Sequence, residues 1–110
     1  MFHVYTVISV PSIAVEIVHF KVKPGTNEQE FLKASADMMQ ELGKLSGFID
    51  RELLKGDNGQ WTDMVHWKSM DNALKATDDV MKLPLCLAYF GFIDDTSLQM
   101  MHFTQSQKYP

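Results

Sequence analysis

Trp67 and Asp63 stand four residues apart in Trp61-Thr-Asp-Met-Val-His-Trp67, a stretch that alternates apolar and polar residues as a half-buried strand does. Side chains on a strand repeat every two residues, so Trp61, Asp63, Val65 and Trp67 share one face. An aromatic wall beside a carboxylate can hold a planar phenol or quinol and accept its proton, the first event in oxidising such a compound with dioxygen. The same residues admit a plainer use, in which Trp67 is core and Asp63 pairs with Arg51 or a lysine across a hairpin.

Three of the four histidines, His19, His66 and His102, fall near the middles of predicted strands that are neighbours in the expected sheet. Imidazoles converging on one face can bind a divalent cation or act as a base near neutral pH. His66, however, has the opposite parity to Trp67, which sends it to the other face unless a bulge intervenes. With no second carboxylate at ligand spacing, no metal is assigned. Tyr89 and Phe90, with Phe92, follow Pro84 in an apolar segment able to cover a cavity mouth, and with Trp61 they are the candidate substrate-binding aromatics. Cys86 lies in the same segment with no basic neighbour to lower its pKa, so it is not a candidate nucleophile.

The elements that must position these residues follow from the pattern. Val15 to Lys23 is rich in β-branched and aromatic residues and ends at Pro24-Gly25, which predicts a strand and a turn. Thr26 and Asn27 are N-cap residues for an amphipathic helix running to about Leu45, and Gly47 releases the chain into a second strand, Phe48 to Leu54. Lys55 to Gly59 is dense in turn formers and makes a hairpin with a third strand, Gln60 to Lys68. Ser69 caps a second helix that Pro84 breaks. Pro84 to Phe92 reads as a helical turn or lid, with a short strand as the alternative, Asp94-Asp95 as a turn, and Ser97 to Thr104 as the last strand.

That order, βαββαβ, is the α+β ferredoxin-like sandwich, with an antiparallel sheet of order 4-1-3-2 and both helices on one face. The other face is left uncovered and apolar, which predicts a homodimer. Residues 15–104 form the single domain. Residues 1–14 are an N-terminal extension in which Phe2 to Val10 alternates as an extra edge strand would, and residues 105–110 are a polar tail.

Composition narrows the partners. At 110 residues, 45% hydrophobic and 22% charged, the chain supports one packed core, and a net charge of -4 argues against a phosphate-backbone surface, so nucleic acid is excluded. Cys86 is the only cysteine, which rules out an internal disulfide and makes a reducing cytoplasm the simplest location. No run approaches the roughly 18 apolar residues of a membrane span.

The stretch Glu16 to Gly25, Glu30-Phe-Leu32, Gly47-Phe48 with Arg51, the alternating series Gly59, Trp61, Asp63, Val65, Trp67 and Ser69, and Ala73 resemble the antibiotic biosynthesis monooxygenase-like family. The resemblance covers roughly Val15 to Thr104. It implies ferredoxin-like protomers that pair into a dimeric α/β barrel, each keeping a cavity between sheet and helices. Cofactor-free, quinone-forming monooxygenases of that family carry a tryptophan on the third strand, matched by Trp67, and an asparagine four positions earlier, where this chain has Asp63. An amide can donate to a substrate oxygen whereas a carboxylate only accepts. The haem-degrading branch needs a histidine on the second helix and an asparagine on the first strand, and neither is present. Two classes of function therefore remain: a cofactor-independent monooxygenase acting on an aromatic or quinone-like molecule, or a dimer that binds a small apolar ligand without turnover.

Overall fold

The computed structural model of the chain describes residues 12–110, so the edge strand expected within residues 2–10 lies outside the described residues. Strand β1 (Ala14–Val22) leads through Pro24-Gly25 into helix α1 (Glu28–Leu42), then come β2 (Phe48–Lys55), β3 (Trp61–Trp67), α2 (Met70–Asp79), a 3-10 turn (Val80–Lys82), α3 (Pro84–Phe90) and β4 (Ile93–Thr104). The sheet order is β2-β3-β1-β4 with every neighbour antiparallel, the expected order read from the opposite edge.

Local chemistry accounts for the boundaries. The Asn27 side chain accepts from the Glu30 N–H at 3.0 Å and opens α1. That helix ends at Leu42, three residues before the expected Leu45, because Gly43 is a poor helix former and the next turn closes on tighter bonds, Leu45 N–H to Leu42 O among them. Gly47 then takes φ +83°, the left-handed conformation that glycine adopts at no cost. Ser69 caps α2 through the Asn72 N–H at 3.1 Å. Leu83 is extended because it precedes Pro84, and Pro84 itself starts α3.

One boundary corrects the sequence reading. Asp94-Asp95 does not turn the chain ahead of β4; the strand begins at Ile93, and its register against β1 shifts between the Lys21–Asp94 and His19–Gln99 pairs. The turn chemistry is real but it builds a bulge, in which Asp94 Oδ1 accepts from the Thr96 N–H at 3.0 Å and from the Thr96 hydroxyl at 2.7 Å. These bonds hold the Asp94 carboxyl below its ordinary range.

The helix-facing side of the sheet carries Ala14, Val18, Phe20, Trp61, Val65 and Trp67, all buried. Phe31 of α1 locks one end of this core, stacked on Tyr89 at 5.3 Å and edge-on to Trp61 at 5.0 Å. At the other end Trp67 is 1% exposed and, among the described residues, meets Phe48 alone of the aromatic rings, at 5.7 Å. Packing there gives way to a cavity.

Candidate functional site

The cavity has a volume of about 460 Å³ and lies between the sheet and the three helices. Its walls are largely apolar, with Trp67 and Val65 from β3, Val18 from β1, Met38 from α1 and Phe90 from α3. The size falls in the range of small-molecule sites. Glu16, Arg51 and Asp63 gather on the sheet side.

Asp63 is their centre. Its position on β3 faces inward, as the period of two requires, and it is 7% exposed. Oδ1 accepts from Arg51 Nε at 2.7 Å, and Arg51 Nη2 lies 2.7 Å from the same oxygen in ion-pair contact but off the hydrogen-bonding direction. Arg51 reaches this point from the inward face of β2 and also donates through Nη1 to Ser35 Oγ of α1 at 2.9 Å. On the other side Asp63 Oδ2 accepts from the Tyr89 hydroxyl at 2.7 Å. Burial, with the Asp63 charge beside it, raises the Tyr89 pKa, so the phenol stays protonated and donates. Arg51 also lies over the Tyr89 ring, 5.1 Å from its centroid, and so ties β2, β3, α1 and α3 together. A buried ion pair repays its desolvation only when its remaining lone pairs and protons find partners; Ser35 and Tyr89 supply two, while Arg51 Nη2 has no hydrogen-bond partner among the described residues.

Trp67 forms the wall beyond this cluster. Its Nε1–H is buried and has no hydrogen-bond partner among the described residues. An orphaned indole donor costs free energy on the order of 1–3 kcal/mol, which a ligand oxygen accepting from it would recover.

The structure brings together four of the predicted site residues, Asp63, Trp67, Tyr89 and Phe90, all on the cavity wall. It separates the others. Trp61 shares the face of Trp67 but packs into the aromatic end against Phe31, outside the cavity lining, which corrects its assignment as a substrate-binding residue. His19 and His66 point to the opposite face of the sheet, His19 Nδ1 2.7 Å from Thr62 Oγ1 and His66 Nδ1 2.7 Å from Asp50 Oδ1. A bulge is present near His66, but it lies in β2, between Phe48 and Asp50, so the parity of β3 is kept. His102 has the inward parity. It stands opposite Glu16 of β1, with Nε2 3.1 Å from Glu16 Oε1. Among the described residues no three His, Cys, Asp or Glu side chains cluster to hold a metal ion.

Glu16 was not picked out as a site residue by the motif reading, although it lines the cavity. The signal was available: in Ala14-Val-Glu-Ile-Val-His-Phe20 the carboxylate takes the inward parity of Ala14, Val18 and Phe20. Burial raises its pKa; His102 pulls the other way and the Asp63 charge adds to the rise. Cys86, by contrast, is buried outside the cavity lining with its thiol pushed up to about 12, chiefly by burial, and is inert at neutral pH.

Comparison with solved structures fixes the architecture. SnoaB, a cofactor-independent oxygenase from Streptomyces nogalater, superposes with a TM-score of 0.73 at 19% identity, over 90% of this chain and 98% of that one. The two chains share one fold. A proposed antibiotic biosynthesis monooxygenase from Bordetella bronchiseptica matches with a TM-score of 0.71 at 18% identity, over 87% of this chain and 99% of its own. A dimeric ferredoxin-like protein from an uncultured marine organism matches with a TM-score of 0.65 at 13% identity, over 90% of this chain and 92% of its own. No protein-family profile and no curated relative matches the chain. No helix among the described residues is long and apolar enough to cross a membrane.

Proposed function

We propose that the protein is a homodimeric, cofactor-independent oxygenase of hydroxylated aromatic molecules, with the cavity between sheet and helices as its site. The observation that carries this reading is the Trp67 indole, a buried wall of the cavity whose N–H has no partner among the described residues. An aromatic ligand stacked in that space with an oxygen at Nε1 fills the apolar volume and satisfies the donor. Asp63 anchors the polar end and keeps the Tyr89 hydroxyl and Arg51 in place, and Phe90 lines the wall beside it. The chemistry balances with dioxygen as co-substrate: a hydroxyarene C–H becomes a quinone C=O with one oxygen atom, and the other leaves as water. The likeness in fold to SnoaB supports an oxygenase, and that to the marine protein supports a dimer.

One observation favours a second reading, a binding protein without turnover: both Asp63 oxygens are already committed to Arg51 and Tyr89. Aerobic incubation with hydroxyanthrones and hydroquinones, following oxygen uptake and quinone absorbance together, separates the two. The expected result is uptake that rises with protein concentration and falls about tenfold or more in Trp67→Phe, which loses the indole donor while keeping an aromatic body. Binding without oxygen uptake establishes the second reading. Turnover unaffected in a folded Trp67→Phe removes Trp67 from the site.

A further inference from the structure

The central strand β1 places a carboxylate in an apolar cavity, and nothing so far gives it work. Glu16 lines the cavity, its side chain is 14% exposed, and its one side-chain partner among the described residues is His102, which is 18% exposed. An ionised carboxylate can only accept, so the hydrogen between them belongs to His102 Nε2 and is directed at Oε1. Oε2 has no partner among the described residues.

The groups facing Glu16 leave it alone in this respect. From β3 comes Asp63, of like charge, and from β2 Arg51, whose guanidinium is engaged by Asp63 and Ser35. From α2 comes Asp78 and from the far end of β4 Asp95, while α3 offers Tyr89, already donating to Asp63, and α1 only Met38 and Leu42. Four carboxylates and one guanidinium thus line the cavity. An anionic ligand would be repelled, whereas a neutral ligand with an acidic O–H would find in Glu16 Oε2 an uncommitted carboxylate oxygen shielded from water, Asp78 and Asp95 being exposed.

The geometry points to Glu16, held by His102, as the proton acceptor of the cavity, and to a neutral, acidic hydroxyarene rather than an anion as its ligand. This rests on the reading of the cavity as an aromatic-ligand site. In the step, the ligand O–H bond breaks, the proton joins Glu16 Oε2 and the electron pair stays on the ligand oxygen as a phenolate. No electron leaves the pair, so the step needs no oxidant. His102 is a positioning residue that turns Oε2 toward the ligand. Burial of Glu16 raises its affinity for a proton toward that of an acidic phenol, which brings donor and acceptor closer to balance.

Two probes test this: 4-nitrophenol, whose phenolate has its own absorbance band, and 4-nitroanisole, its methyl ether with no proton to give. Measured below the pH at which free nitrophenol ionises, the wild-type protein is expected to bind both and to show the phenolate band. Glu16→Gln is expected to bind nitroanisole within about threefold of wild type, a difference under ~1 kcal/mol, with the band lost. His102→Gln keeps the acceptor but loses the imidazole contact that pulls Glu16's proton affinity down, so the onset of the band moves to higher pH. A band that persists unchanged in Glu16→Gln, or an onset that His102→Gln leaves unmoved, overturns the assignment while the aromatic-ligand site stands. Failure of the wild type to bind either probe overturns that site itself, and Glu16's role with it.

Discussion

Glu16 and Asp63 are both inward-facing carboxylates, and what separates them is the company each keeps. Asp63 has Arg51 and Tyr89 at hydrogen-bonding distance, whereas Glu16 has one imidazole and an apolar cavity wall. The folded state therefore holds the Glu16 proton more tightly than the unfolded chain does. Below the ordinary glutamate value of 4.5 both states are protonated and Glu16 costs nothing. Above it the unfolded chain releases the proton first, the folded state binds more protons, and stability falls as pH rises until the folded value is passed. Unfolding of Glu16→Gln by urea across that range is expected to lack this decline, so the variant gains on wild type as pH increases. A wild-type advantage that grows with pH would mean that the His102 pairing outweighs burial.

At the scale of elements, legibility followed the strength of the local signal. Asn27, Ser69, Pro24-Gly25 and Pro84 each dictate backbone geometry through a single side chain, and α1, α2, the first turn and the break before α3 came out of the sequence accordingly. The Asp94 to Ser97 bulge did not, because an aspartate bonding its own backbone two residues on looks the same in a turn and in a bulge. The candidate site was half legible. Period-two parity placed Asp63 and Trp67 together and set His66 apart, but nothing local tells that Tyr89, 26 residues on, returns to Asp63. Trp61 misled for the same reason, since parity gives the face and not the distance along it. Gly47 offers a test at this scale. A Cβ there would come within 2.3 Å of the Asn72 side chain, in a conformation with φ +83° that disfavours side chains. Gly47→Ala is expected to lower stability by more than about 1 kcal/mol in denaturant melts, with the α1–β2 junction losing amide protection first. A neutral substitution would show that Asn72 moves aside and that the junction is not held by this contact.

Across the whole molecule, the sheet face away from the helices sets Val15, Ile17, Met64 and Met101 in facing rows, with exposed Phe103 at one side and His66–Asp50 at the other. A contiguous apolar surface of this kind is rarely left to water. Sedimentation equilibrium at micromolar protein is expected to give twice the chain mass, and Ile17→Asp, placed at the centre of that face, to give a folded monomer. A wild-type monomer at high concentration would rule the pairing out. The feature that reaches furthest is the position of β4 at the edge of the sheet, because its exposed Leu98 and Met100 also line the cavity. One strand thus borders the space where a ligand would sit and the margin along which another subunit would close. Occupancy and assembly then share a single free-energy cycle: if pairing tightens the hold on a ligand by some factor, the ligand tightens the pair by that same factor. With such coupling, dilution that splits the pair would also loosen its hold on a ligand, and an affinity measured at one protein concentration would not carry over to another.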